Sequence, residues 1–190
     1  MIAAGVLFLL AGASPVLEMT PEHVREAIEH GRSSGEKDLA QYPLHSEESW
    51  HANFDTPFLR IAQLSAAMRK ADKLLAEGDV PKDFAAGQVH VYVHAKDDRE
   101  RSTRNVSYVA LVEPGAEGHV ESVIPPVASS RYVRRVPTPD ASGTPARIAR
   151  SMKAVFPIRL FVPGNKIRVT FDDGATETVL LDARLFAGVR

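Results

Sequence analysis

The chain holds 190 residues, 44% of them hydrophobic and 25% charged, and it contains no cysteine. This is globular composition, and the length suits one domain or two small units on a shared core. A formal net charge of -1 excludes the basic excess that a phosphate backbone demands of its partner. The missing cysteines exclude thiol nucleophiles, cysteine zinc or iron–sulfur centres and an acylated-cysteine anchor. The charge is unevenly placed: residues 1–98 carry 9 Lys/Arg against 15 Asp/Glu, and residues 99–190 carry 14 against 9.

Ile2 to Leu10 form an uncharged apolar run, far short of the ~20 residues of a bilayer span. Ala11-Gly12-Ala13 has the small-x-small form of a cleavage site, and Ser14-Pro15 follows as an extended break. No Lys or Arg precedes the run, so the amino terminus supplies its only positive charge. Residues 1–13 are expected to be a signal peptide, the mature product being periplasmic or secreted with no stable membrane span.

Thr20-Pro21-Glu22 opens a helix ended by Gly31, its N-cap hydroxyl, early proline and acid all suiting a first turn. Asp38 to Asn53 has no clear period and reads as an ordered loop packed by Tyr42 and Trp50. A second helix is expected from Asp55 to Gly78, begun by Thr56-Pro57. Phe58, Ile61, Leu64, Met68, Ala71 and Leu75 recur three or four residues apart on its apolar side. Arg60, Gln63, Lys70 and Glu77 fall on its wet side. Asp79 to Gly87 is a short turn with Phe84 inward.

From Gln88 the pattern changes to period two. Val89, Val91 and Val93 alternate with His90, Tyr92 and His94. Asn105 to Glu113 is apolar on both faces and reads as a central strand. Further strands are expected over His119–Ile124, Tyr132–Val136, Ile158–Val162, Asn165–Phe171 and Thr176–Leu181. A third helix is expected over 145–156 from Ile148, Met152 and Val155. The turn at Asp172-Asp173-Gly174 leaves the last register open, because two- and three-residue turns give opposite faces. The expected architecture is α+β, with N-terminal helices (14–87) packed on a C-terminal antiparallel β-sheet (88–190), sandwich-like or a half-barrel.

Histidine-rich stretches raise the question of chemistry. His45, Glu48 and His51 have the spacing H-x-x-E-x-x-H, with Asp55 four residues on; on a helix they would fan toward one point. The spacing matches no metal motif, and no metal is expected. His90 and His94 share a strand face but lie about 13 Å apart, too far for one zinc ion. His23, Glu26 and His30 share a helix face that is expected to be solvated. Asn105-Val106-Ser107 has the form of a glycosylation acceptor but sits at a strand start, which suits a structural role.

Arg131, Arg134, Arg135, Arg147 and Arg150 gather positive charge, and arginine suits carboxylate recognition. Nucleophile-elbow, zincin, dinucleotide, P-loop and calcium-loop signatures are absent from the sequence, and no cofactor is expected. The leading expectation is a non-catalytic binding module of the cell envelope. Its contacts would be those five arginines and Tyr92, and its partner an acidic protein or envelope polymer rather than nucleic acid. The alternative is a secreted hydrolase or metal-dependent enzyme using His45, Glu48, His51 and Asp55 as catalytic groups.

Overall fold

A computed structural model describes residues 19–46, 50–95, 105–115, 120–136, 147–187 and 189. The leader expected over 1–13 lies outside these residues, as do Glu48 and His119. The side chains of residues 36, 95, 134–136 and 147–149 also lie outside the description. The fold is mixed α+β, with three helices and two antiparallel sheets. No helix among the described residues is long and apolar enough to cross a membrane.

Helix α1 spans Pro21–Ser33, and the Thr20 hydroxyl accepts from the His23 N–H at its start. Helix α2 spans Pro57–Lys70, with Thr56 as its N-cap. It is therefore shorter than the Asp55–Gly78 stripe suggests. It stops at Asp72, whose φ of 55° is left-handed, where the Lys73 N–H returns to the Met68 carbonyl and the Asp72 N–H to that of Arg69. This is the double return bond that closes a helix, made here without glycine. A four-residue helix α3, Lys82–Ala85, follows.

Strands β1 (Tyr42–Ser46), β2 (Trp50–Asp55), β3 (Gln88–Ala95), β7 (Arg147–Pro157) and β6 (Ala128–Val136) form one sheet in that spatial order. Strands β5 (Ser122–Ile124), β4 (Val106–Glu113), β8 (Lys166–Phe171) and β9 (Thr176–Leu180) form the other. One core draws on both sheets, including Trp50, Phe54, Val91 and Phe156 from the first and Val109, Leu111, Ile167 and Phe171 from the second. The Trp50 and Phe171 rings meet edge-on at 6.2 Å, and Phe54 packs on Phe161 at 5.0 Å.

Several expectations are corrected here. Where a loop is expected over 38–53, residues 42–46 and 50–53 are strand: Trp50, Ala52 and Phe54 alternate with His51, Asn53 and Asp55, and the period of two builds β2. Strands thus occur ahead of α2, not only after residue 88. Of the helix expected over 145–156, the described part, from residue 147 on, is strand β7. Its Met152, Ala154 and Phe156 are buried, and it hydrogen-bonds to β3 on one side and β6 on the other. Two ladders outweigh a weak helical period. Ile158–Leu160 forms a 3-10 turn where a strand is expected, set between Pro157 and Pro163.

The α2 stripe also finds a different partner. Phe58, Ile61 and Leu75 are buried with Ala27 and Ile28 of α1, and Leu64 and Met68 pack against them. The sheets cover each other, so the helices cover each other too. A second edge of α2, Leu59, Ala62 and Ala66, closes over Leu39 and Tyr42.

The last hairpin has a three-residue turn. The Phe171 N–H donates to the Ala175 carbonyl, the Gly174 N–H donates to that of Phe171, and Gly174 has φ +82°. Glu177 and Val179 are consequently half-buried, while Leu180 is exposed. Gly174→Ala places a side chain in left-handed backbone and is expected to cost about 1–2 kcal/mol. Urea unfolding measures it, and no change in midpoint refutes it.

Candidate functional site

The inner face of the five-stranded sheet is apolar; the outer face is polar over three strands. Register sets His51 beside His94, Asn53 beside Tyr92 and Asp55 beside His90. It sets Tyr92 beside Lys153, Ser130 beside Lys153 and Tyr132 beside Ser151. A wet sheet face is polar and exposed, whereas here Asp55, His90 and Ser151 are buried and Tyr92, His94 and Lys153 half-buried. Burial of so many titratable groups is costly unless they satisfy one another.

At one end they do so through α2. Asp55 is 2% and Arg60 4% exposed, although Arg60 is expected from the sequence on the wet side of the helix. The Arg60 guanidinium donates to the carbonyls of Asp83 (3.3 Å), Phe84 (3.3 Å) and Gln88 (2.9 Å). It lies over the Phe84 ring at 5.5 Å. Its Nη1 is 3.0 Å from His90 Nε2, and its Nε is 3.7 Å from Asp55 Oδ1. His90 Nδ1 is 3.7 Å from the same oxygen. The Tyr92 hydroxyl donates to Asp55 Oδ2 at 3.1 Å.

Burial pushes the Asp55 carboxyl up to about 6, against the opposing pull of Arg60 and the Tyr92 hydrogen bond. Burial, then the Arg60 and Lys153 cations, push His90 down to about 4. Burial and the Asp55 charge raise the Tyr92 hydroxyl. Burial lowers Arg60 while Asp55 opposes the shift.

At the other end the His51 and His94 rings stack at 4.6 Å, 14° from parallel. The Tyr132 hydroxyl is 3.2 Å from His94 Nδ1. Ser151 is 1% exposed and its Oγ has no hydrogen-bond partner.

The four residues proposed as a fan do not share a helix. His45 pairs with Ala52 on the inner face, its ring 4.1 Å from that of Trp50. His51 and Asp55 lie on the outer face, four strand residues apart and joined to different neighbours. Glu48 is outside the described residues. Among the described residues no three His, Asp or Glu converge to hold a metal ion.

Of the arginines, Arg131 reaches across to the second sheet and donates to the Ser107 carbonyl at 2.8 Å. Arg150 is exposed, and its backbone N–H donates to Asn105 Oδ1 at 3.2 Å. Asn105 also donates from Nδ2 to Asp172 Oδ2 at 2.7 Å, so its amide is engaged structurally. Arg134, Arg135 and Arg147 sit in the β6–β7 ladder opposite Ala149, Ile148 and Val136. Arg60, read from the sequence as solvated, and His90, weighed there only against His94, are the site residues that sequence reading does not assign. The one available signal for them is a charged residue one turn into a helix whose entry carries Asp55. Compared with protein-family models, curated proteins and solved structures, the chain matches none.

Proposed function

We propose that the protein is an exported, non-catalytic binding module that docks carboxylate-rich partners on the two-stranded ribbon of β6 and β7. The observation that carries this reading is the length of that ribbon. β7 pairs with β3 only over Met152–Pro157, yet it pairs with β6 down to Arg147. Residues Val133 to Val136 and Arg147 to Arg150 therefore lie beyond the last rung that β7 shares with β3, and they include Arg134, Arg135, Arg147 and Arg150. Neither strand contains an acidic residue. Each of the four arginines stands opposite Val, Ala or Ile in the ladder, so no rung pairs one arginine with another. Four arginines without an acidic neighbour on either strand suit a carboxylate-rich polymer, which arginine binds in bidentate fashion. Export rests on the apolar run and the small-residue cleavage form of residues 1–13.

Binding to poly-glutamate and to a polyuronate, followed by titration calorimetry at low salt and at about 0.3 M salt, tests the reading. Wild type is expected to bind at low salt and to weaken with added salt. Arg134→Glu with Arg135→Glu is expected to weaken binding at least about tenfold at low salt, two charge-assisted contacts being lost, with an unchanged melting temperature. Equal binding by the double variant overturns the proposal. Preference for poly-glutamate points to an acidic protein surface, and preference for the polyuronate to an envelope polymer.

A further inference from the structure

The joint between the helical layer and the five-stranded sheet turns on Arg60, and the geometry there determines a protonation state. A guanidinium donates and never accepts. His90 Nε2, 3.0 Å from Arg60 Nη1, is therefore the acceptor of that contact. The imidazole is neutral, and its proton is on Nδ1, the nitrogen nearer Asp55 Oδ1. Asp55 Oδ1 in turn has no donor within hydrogen-bond distance, whereas Oδ2 has the Tyr92 hydroxyl.

The two titratable groups would meet an added proton differently. On His90 it would turn Nε2 into a donor facing another donor, with two cations in contact. On Asp55 it would settle on an oxygen that lacks a donor, and the Arg60 contacts to three backbone carbonyls and to His90 would persist. The other groups facing the cluster are Tyr92 on β3, Lys153 on β7 and Asp83 at the start of α3. Lys153 opposes protonation of His90 and Asp83 favours it.

We infer that Asp55, Arg60 and His90 form an acid-tolerant latch, in which Asp55 takes the first proton while His90 stays neutral and α2 stays tied to the sheet. The direction of both shifts agrees with this order, Asp55 rising to about 6 and His90 falling to about 4. The consequence for stability follows from linkage. A raised carboxyl stabilises the closed joint as pH falls through 6 toward the ordinary value of 3.8. A depressed imidazole destabilises it as pH falls from 6.5 toward 4. Both contributions act in the same window with opposite sign, so they offset.

Nuclear magnetic resonance titration of the full chain from about pH 7.5 to 3.5 tests the latch, reading the Asp55 carboxyl carbon, the His90 ring nitrogens and amide exchange in α2. Asp55 is expected to titrate before His90, and His90 to keep the neutral Nδ1–H pattern through pH 5. Wild-type α2 protection is expected to hold to within about threefold, because the two shifts offset. Asp55→Asn leaves only the imidazole, and opening of α2 is expected to rise on the order of a hundredfold from pH 7 to 4. Titration of His90 ahead of Asp55, an Nε2–H tautomer, or undiminished protection in Asp55→Asn each overturns the inference. Should the variant fail to fold, the order of titration and the tautomer in wild type decide the question.

Discussion

Arg60→Met is expected to lower the stability of the folded protein by about 3–5 kcal/mol, the usual cost of stripping one partner from a buried ion pair. Methionine replaces much of the side-chain volume, so a cavity adds little. The loss comes from three carbonyls, at Asp83, Phe84 and Gln88, that lose a charged donor. It comes also from Asp55, left 2% exposed with no cation beside it. Adding Asp55→Leu to Arg60→Met is expected to recover part of this, because the stranded carboxyl disappears with its partner. Chemical denaturation of wild type, both single variants and the double variant provides the cycle. Additive losses would mean that Arg60 acts through the backbone carbonyls and Phe84 alone, and that Asp55 is no part of the joint.

Gly31→Ala is the second large effect, and here one methyl group is enough. Gly31 is buried in the last turn of α1, where the helix crosses α2. A Cβ at this position would lie 2.8 Å from the Cβ of Ser65 and closer still to the Ala62 carbonyl oxygen. Backbone cannot yield as a flexible side chain does, so the helices must separate. Separation breaks the Ser65 hydroxyl bond to the Ile28 carbonyl, 2.8 Å long and buried. It also loosens Ala27, Ile28, Phe58 and Ile61 together. The expected cost is about 3 kcal/mol, the upper part of the range for overpacking, even though alanine favours a helix over glycine by about 1 kcal/mol. A variant as stable as wild type in thermal and urea unfolding would mean that the helices do not cross at Gly31.

These two residues illustrate what could be read in advance. Gly31 reads from the sequence as a helix stop, yet the structure uses it as a contact point. Arg60 reads as solvated because it is charged and lies off the stripe of Phe58, Ile61 and Leu64. The stripe describes which side is polar but not what lies there, and here that side meets α3 and the end of β3. His90 and Tyr92 were legible as one face of an alternating strand, since Val89, Val91 and Val93 fill the other. Their union with Asp55 needed the pairing of β2 with β3, which no local pattern contains. His45 and His51, close in sequence, fall on opposite sheet faces once the segment is a hairpin.

The amino-acid sequence alone determined the mixed α+β class, both proline-led helix starts at Thr20 and Thr56, and the alternation that builds β3 and β8. Those features depend on φ restriction, capping and side-chain period, all settled within a few residues. Tertiary structure decided that residues 147–157 form a strand, that α2 covers α1 rather than a sheet, and that Arg60 is buried against Asp55 and His90. Each of those outcomes compares two local choices of nearly equal free energy, and ladders, close crossings and charge pairs between distant segments tip the balance.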